Sequence, residues 1–484
     1  MNIWRDFHGP NAGYILELYD RYQHDPNAVD PVTRAYFEQW TPPTREAVAQ
    51  LEPTPAIDKI VATVNLAQAI REYGHLQAQL DPLGSPPPGD PALELAAHGV
   101  REEELRQLPA SLIGGPVVER SNNALEAIEA LRSIYSATTG YDYDHIRAPE
   151  EREWLRYVAE CCQFRPPQDP INPTALLERL TQVEVFEHFL HRTFPGKTRF
   201  SIEGLDMLIP ILDELVGAAA EADIGAVLIG MAHRGRLNVL AQVLNKPYGQ
   251  ILAEFKDPVG NNSTTRDELG WTGDVKYHKG ARRAIKGGEM VDLIVSLAPN
   301  PSHLEHVNPV VAGMALAAGT SVDQPGPPRF DPTVTLPIVI HGDASFPGQG
   351  IVAETLNFSR VPGYSPGGTI HLIANNQLGF TTPPSGARST LYASDLAKGF
   401  KIPVVHVNAD DPEACLEAAR LAFAYTKRFE KDFLIDLIGY RRYGHNEGDE
   451  PRFTQPLMYQ KIEAHPTVRS QWAETLRERG LLDD

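Results

Sequence analysis

Six continuous apolar runs constrain this chain more than any other feature of its sequence: AVLIGMA (226–232), LIVSLA (293–298), TLPIVIH (335–341), TIHLIA (369–374), PVVHVN (403–408) and FLIDLIGY (433–440). A strand with one wet face alternates apolar and polar residues, whereas near-continuous apolar runs belong to strands buried on both faces. Helix-like stretches separate the runs, which predicts an α/β fold, a parallel sheet with helices on both faces. Directly after the runs stand HRGR, PNPSHLEH, GD, NNQ, NADD and RRYGHNEGDE. Open α/β sheets bind ligands beyond the carboxyl ends of their strands, so six polar loops are expected to converge on one edge.

The first third reads differently. Residues 14–40 carry two short helical patterns broken at Asp25-Pro26 and Asp30-Pro31, since proline stops a helix and disfavours helical geometry before it. A PTPA linker (53–56), a helix around 58–79, the turn-rich PLGSPPPGDP (82–91) and short helices over 91–107 and 122–136 follow. After RPPQDPINP (165–173), Leu176, Leu177, Leu180, Val183, Phe186, Phe189 and Leu190 recur at the spacing of an amphipathic helix. These breaks divide the chain into a helical arm (1–45), expected to dock a partner, a helical linker region (46–172) and an α/β domain (173–484), so an all-helical region is expected to precede the sheet.

Composition excludes several classes. Lys and Arg number 44 against 63 Asp and Glu, a formal charge of −19, and no local basic patch offsets it, so neither nucleic acid nor an anionic membrane is an expected partner. Cys161, Cys162 and Cys415 are too few for a disulfide framework and form no CxxC pair, which fits a reducing compartment. The N-terminus is charged throughout, without the apolar run of a secretion signal, and no stretch approaches the length of a membrane span. The cytoplasm is the expected location, with a mitochondrial matrix as the alternative.

Asp343 ends one buried run and Asn376 another, one strand–helix–strand crossover later. On neighbouring strands, one carboxylate and one amide oxygen would face the same point, with the carbonyl of Leu378 as a third oxygen. Magnesium takes oxygen ligands of this kind, completed by phosphate and water. Alone, GD and NN are common turn dipeptides; at strand ends one crossover apart they point to a diphosphate held through magnesium.

Around that pair, GDASFPGQGIVAETLNFSRVPGYSPGGTIHLIANNQLGFTT (342–382) resembles the GDG…NN signature of thiamine-diphosphate enzymes, in the version of the 2-oxoglutarate dehydrogenase decarboxylase family. YILELYDRYQHDPNAVD (14–30), GHLQAQLDPLG (74–84), FPGKTRFSIEG (194–204), GMAHRGRLNVL (230–240), GDVKYHKGARR (273–283), APNPSHLE (298–305) and YRRYGHNEGDEPRFTQPLMY (440–459) look like family motifs in one order. The resemblance implies that Asp343, Asn376 and the Leu378 carbonyl hold Mg2+, and that Arg234, Ser302, Leu304, Ala344 and Ser345 contact thiamine diphosphate. Arg234 offers a planar fork for a diphosphate oxygen, Ser345 a neutral donor, and Leu304 an apolar wall. It further implies that His233 and His278 bind 2-oxoglutarate and move protons, as imidazoles do near neutral pH, with Ser302 beside them. Their division of labour stays open.

Other histidines compete for attention. His303 and His306 stand one helical turn apart, but no HExxH or cysteine accompanies them and zinc is not expected there. His445 lies on a charged, glycine-rich loop that either orders over the cofactor or is solvated. Gly348-Gln-Gly350 matches part of a dinucleotide fingerprint yet begins too far beyond its strand, and Gly196-Lys197-Thr198 lacks the earlier glycine of a P-loop.

The implied activity is decarboxylation of 2-oxoglutarate with succinyl transfer to a lipoyl group on a dihydrolipoyl succinyltransferase core, by a homodimer. The family's chains are about twice as long and carry a pyrimidine-binding domain after the region represented here. The expectation is therefore a truncated chain or one half of a split enzyme, inactive alone. Two alternatives remain: the same chemistry on 2-oxoadipate or another 2-oxo acid, and a non-catalytic assembly subunit.

Overall fold

Aspartate and proline set the first turns. The computed structural model describes residues 12–38, 57–256, 276–287 and 290–482, and these separate into one unit ending at Asp58 and another beginning at Lys59. In the first, helices Ala12–His24 and Pro31–Phe37 flank a single turn at Pro26–Ala28. The Asp25 carboxylate accepts the Asn27 amide at 2.9 Å and Asp30 the Thr33 amide at 3.1 Å, which fixes both breaks where the prolines fall. Phe37 packs edge-on to Tyr19 at 5.2 Å. The PTPA linker lies outside the described residues.

The second unit is built on eight strands: β1 (Thr139–Asp142), β2 (Ala226–Met231), β3 (Ala281–Gly287), β4 (Met290–Leu297), β7 (Thr335–Gly342), β8 (Ile370–Asn375), β9 (Val404–Asn408) and β10 (Phe433–Ile438); a small ribbon pairs β5 (Thr320–Ser321) with β6 (Arg329–Phe330). The sheet order is β1-β9-β10-β8-β7-β2-β4-β3. All six apolar runs are strands, and they are mutually parallel. Two corrections follow. The sheet is not wholly parallel, because β1 and β3 close its edges antiparallel. Nor is the region before residue 173 all-helical, because β1 lies within it. An edge strand needs one hydrogen-bonding neighbour and no continuous apolar run, so TGYD and ARRAIKG carry little strand signal.

Alternation through the inner strands feeds cores on both faces of the sheet. Val227, Ile229, Ile338, Ile340, Leu372 and Ile435 point into the larger one, with helices Leu208–Glu221 and Pro412–Phe429. Leu228 and Val339 point the other way, onto Val307, Val311 and Ala315 of helix Val307–Gly319. That helix comes so close that a Cβ on Gly230 would stand 2.7 Å from Val311 Cγ2. The helix predicted after residue 173 spans Pro173–Thr193 and buries Leu176, Leu180, Val183, Phe186 and Leu190, while Phe189 faces outward. The predicted helix over 91–107 is instead two 3-10 turns and a short helix, Glu102–Gln107, interrupted where Gly99 takes a left-handed φ of 65°. Among the described residues no helix is long and apolar enough to cross a membrane.

Candidate active site

The crossovers diverge between β2 and β7: β4 lies beyond β2 on one side and β8 beyond β7 on the other. Such a switch point opens a crevice at the strand ends. Gly342 of β7 pairs with Ala374 of β8, so Asp343 and Asn376 emerge from neighbouring strands, the condition for their oxygens to face one point. Their loops touch, since a Cβ on Gly379 would lie 2.7 Å from the Ala344 Cβ. Asp343 is buried, and burial pushes its carboxyl up to about 6, against the pull of Arg388. The Asn376 Oδ1 atom is buried without a hydrogen-bond partner among the described residues. A buried carboxylate disfavoured as an anion beside an unsatisfied amide oxygen fits a divalent cation, which would satisfy both.

The loop after β8 is moulded by a segment far away in sequence. Gln377 takes a left-handed φ of 60°, and its amide donates to Asp81 Oδ1 at 2.9 Å and Gly439 O at 3.0 Å. Asp81 belongs to the GHLQAQLDPLG segment, which thereby braces the turn that carries Leu378. Leu378 itself is buried.

After β2 come His233 and Arg234. His233 is buried with neither ring nitrogen bonded among the described residues. Burial first, then nearby Arg236 and imidazoles, lower its pKa to about 3, so it is neutral. The His278 ring stands 5.0 Å away, with its Nε2 3.2 Å from Ser302 Oγ; the structure thus brings His233, His278 and Ser302 together. Arg234 donates to the Ser201 carbonyl at 2.8 Å and the His445 carbonyl at 3.1 Å, and burial and Arg441 lower its pKa to about 10. His445 is not a solvated loop residue. Its ring packs between Phe200 at 5.6 Å and Phe380 at 5.3 Å, and burial lowers its pKa to about 4.

The remaining expected contacts divide. Ala344 and Ser302 are exposed and Leu304 is half-buried. Ser345 turns inward, its hydroxyl donating to Glu305 and lying 3.2 Å from the Gly342 carbonyl. His303 and His306 are exposed, with rings 5.2 Å apart.

Glu305, Arg441 and Glu447 are the residues that sequence reading missed. Glu305 is wholly buried, accepting from Asn308 Nδ2 at 2.9 Å and bonded to His341 Nδ1 at 2.7 Å. Arg441 reaches the Phe380 carbonyl at 2.9 Å and keeps one buried guanidinium nitrogen without a partner among the described residues. Glu447 accepts the backbone amides of Arg199, Phe200 and Ser201 at 2.6, 3.2 and 2.9 Å. A charge placed just before the apolar helix at Val307 was the available signal for Glu305, and Arg441 stands directly after the last apolar run; nothing local marks Glu447.

An α/β sheet with oxygen donors, imidazoles and arginines gathered at its switch point defines a cofactor-binding enzyme fold. The sequence profile of the dehydrogenase E1 component family matches residues 183–484, and that of the 2-oxoglutarate dehydrogenase N-terminus matches residues 7–43. The chain belongs to the dehydrogenase E1 component family. It is 51% identical over 493 residues to the 2-oxoglutarate dehydrogenase E1 component of Bacillus velezensis, covering 99% of this chain and 52% of that one. The proteins of the same description from Geobacillus sp. and Bacillus subtilis are each 50% identical, again over 99% of this chain and 52% of theirs. The chain therefore spans about half the length of these relatives.

Proposed function

We propose that this chain binds thiamine diphosphate through Mg2+ and contributes that site to decarboxylation of 2-oxoglutarate, with succinyl transfer to the lipoyl group of a dihydrolipoyl succinyltransferase core in the bacterial cytoplasm. The observation that carries the reading is that Asp343 and Asn376 leave the ends of the neighbouring strands β7 and β8, one a buried carboxylate raised to about 6 and the other with an unsatisfied oxygen among the described residues. In this reading the Asp343 carboxylate, Asn376 Oδ1 and the Leu378 carbonyl hold Mg2+. Arg234, Ser302, Leu304, Ala344 and Ser345 surround the cofactor, Arg234 by turning part of its fork from backbone carbonyls to phosphate. Bound thiamine diphosphate supplies an electron sink for loss of carbon dioxide.

The chain's own residues bind, orient and exclude water. Neutral His233 has one ring nitrogen to donate to a substrate carboxylate and one to accept a proton, in a site walled by Phe200 and Tyr277. His278, oriented by Ser302, stands as its partner for the second carboxylate of a dicarboxylic 2-oxo acid. His445, Phe200 and Phe380 form an aromatic side of the crevice. The assembly role of the N-terminal helices is supported by the match of residues 7–43 to the 2-oxoglutarate dehydrogenase N-terminus, and the homodimer by the family's likeness alone.

Calorimetric titration with thiamine diphosphate and Mg2+ tests the site. Asp343→Ala is expected to weaken binding by at least ~100-fold, since it removes the only charged metal ligand proposed; undiminished binding sinks the assignment. With cofactor present, ligand-observed NMR should detect 2-oxoglutarate on the wild-type chain and lose it in His233→Ala. A stronger signal from 2-oxoadipate would move the substrate reading to the longer acid.

A further inference from the structure

Away from the strand-end crevice, three buried side chains turn metal-binding atoms toward one another: His75, Asp142 and His406, with ligand atoms all within 4.8 Å. They come from different elements. His75 sits in the 3-10 turn Gly74–Leu76, Asp142 ends β1, and His406 lies within β9, where it pairs with Gly140. A Cβ on Gly140 would lie 2.9 Å from the His75 Cβ, so the turn reaches the edge of the sheet only because that residue has no side chain.

The spacing is too open for a closed hydrogen-bonded cluster. Asp142 Oδ2 is 3.5 Å from His406 Nε2 and 4.0 Å from His75 Nε2, beyond a good N–H···O bond. Donors around a tetrahedral ion with bonds of ~2.1 Å stand about 3.4 Å apart, so the first separation already matches and the second needs only a small contraction.

The far side of each ring is fixed. His406 Nδ1 is 2.9 Å from Asp436 Oδ2. His75 Nδ1 is 3.1 Å from the Tyr392 hydroxyl, which itself donates to the His75 carbonyl at 3.1 Å. That hydroxyl must then accept from Nδ1–H, and the tautomer it selects leaves the His75 Nε2 lone pair facing Asp142. Outer partners that orient imidazoles in this way are characteristic of metal-bound histidines.

We infer that His75, Asp142 and His406 form a structural site for a divalent transition ion of the zinc class. Imidazole ligands favour such an ion over Mg2+, which prefers oxygen, so this site and the Asp343 site select different metals. One cation competes. The Lys398 ammonium contacts Asp142 Oδ2 and lies 2.8 Å from Asp395 Oδ1, with 29% of its side chain exposed. Withdrawal onto Asp395 would clear Asp142 for the ion. With its Nδ1–H donated to Asp436, a neutral His406 turns its Nε2 lone pair toward the ion. The ion would tie the 74–76 turn, β1 and β9 together, and through Asp436 it would brace Asn375, the neighbour of Asn376.

The test is titration of the untagged 484-residue chain with Zn2+, and with Co2+ as a spectroscopic stand-in, at saturating Mg2+. One equivalent of Zn2+ should bind, and Co2+ should give the intense visible bands of a tetrahedral site. Tyr392→Phe, which removes an outer partner, should weaken Zn2+ about 10-fold, and His75→Ala by more than ~100-fold. Lys398→Ala should tighten binding at least ~10-fold, because it removes the competing charge while keeping all three ligands. Failure of both the wild-type and the Lys398→Ala chains to bind one equivalent overturns the proposal and leaves the cluster as an ion-pair network around Lys398. Binding that survives His75→Ala overturns it equally.

Discussion

Asp436 Oδ1 accepts a 2.9 Å hydrogen bond from Asn375 Nδ2 in the interior of the sheet. Both side chains are buried, and Asn375 Oδ1 in turn accepts the Gln377 amide at 3.1 Å. A charge inside the sheet thus shapes the turn that carries Asn376. Asp436→Ala is expected to cost about 3–5 kcal/mol, because it leaves buried partners uncompensated, and Asn375→Ala about 1–3 kcal/mol. Denaturant unfolding checks both, and their double mutant should lose less than the sum. Losses below ~1 kcal/mol for both would mean that the pair is not what holds the turn.

Glu447 joins two loops that are distant in sequence. Its carboxylate takes three successive backbone amides, a nest that favours an anion strongly, and the Arg234 fork clamps the same loops through Ser201 O and His445 O. Glu447→Gln keeps the shape but removes the charge that strengthens those bonds, worth about 1.5–3 kcal/mol. Hydrogen exchange at the Arg199, Phe200 and Ser201 amides should then accelerate roughly 10- to 100-fold, since ~1.4 kcal/mol corresponds to a factor of ten. Unchanged protection would show that the loops are held by packing alone.

What could be read from sequence follows from what each residue must satisfy. The inner strands were legible because burial on both faces writes a continuous apolar run, and Asp343, Asn376, His233 and Arg234 because they stand directly after such runs. Strands β1 and β3 were not, since Asp142, Arg282 and Arg283 lie on strands with one neighbour. Glu305 and Glu447 escaped for another reason. Their partners, His341 and the 199–201 amides, are far away in sequence, and no spacing rule records a contact that only the fold creates. Ser345 shows the converse: its place in the motif suggested an outward donor, while the unseen Glu305 draws its hydroxyl inward.

Glu305 also begins a buried chain of polar groups. His341 Nε2 is 3.0 Å from His371 Nδ1, and His371 Nε2 is 3.2 Å from Asp432 Oδ2. Burial opposes the Glu305 charge, but His341, Ser345 and Asn308 outweigh it and keep the carboxyl below its usual range. Glu305→Ala is expected to cost about 3–5 kcal/mol, as for other broken buried pairs, while Ser345→Ala should cost about 1 kcal/mol. Thermal and denaturant unfolding of the two variants measure the contrast; equal losses would show that the serine bond, and not the buried chain, is the main contribution of Glu305.

Asp206 provides a pH test independent of the crevice. Burial, then repulsion from Glu203, raises its carboxyl to about 8, while the Gly204 amide, donating at 2.8 Å, pulls the other way. In the unfolded chain an aspartate titrates near ~4. Between ~4 and about 8 the folded chain therefore holds a proton that the unfolded chain has lost, so stability falls as pH rises, by up to ~1.4 kcal/mol per pH unit from this group. Asp206→Asn stays neutral and still accepts from Gly204, so it removes that slope. Unfolding free energies at pH 5.5, 7 and 8 should show the variant gaining steadily on the wild-type chain. Parallel curves across the window would mean that Asp206 is ionised in the folded state.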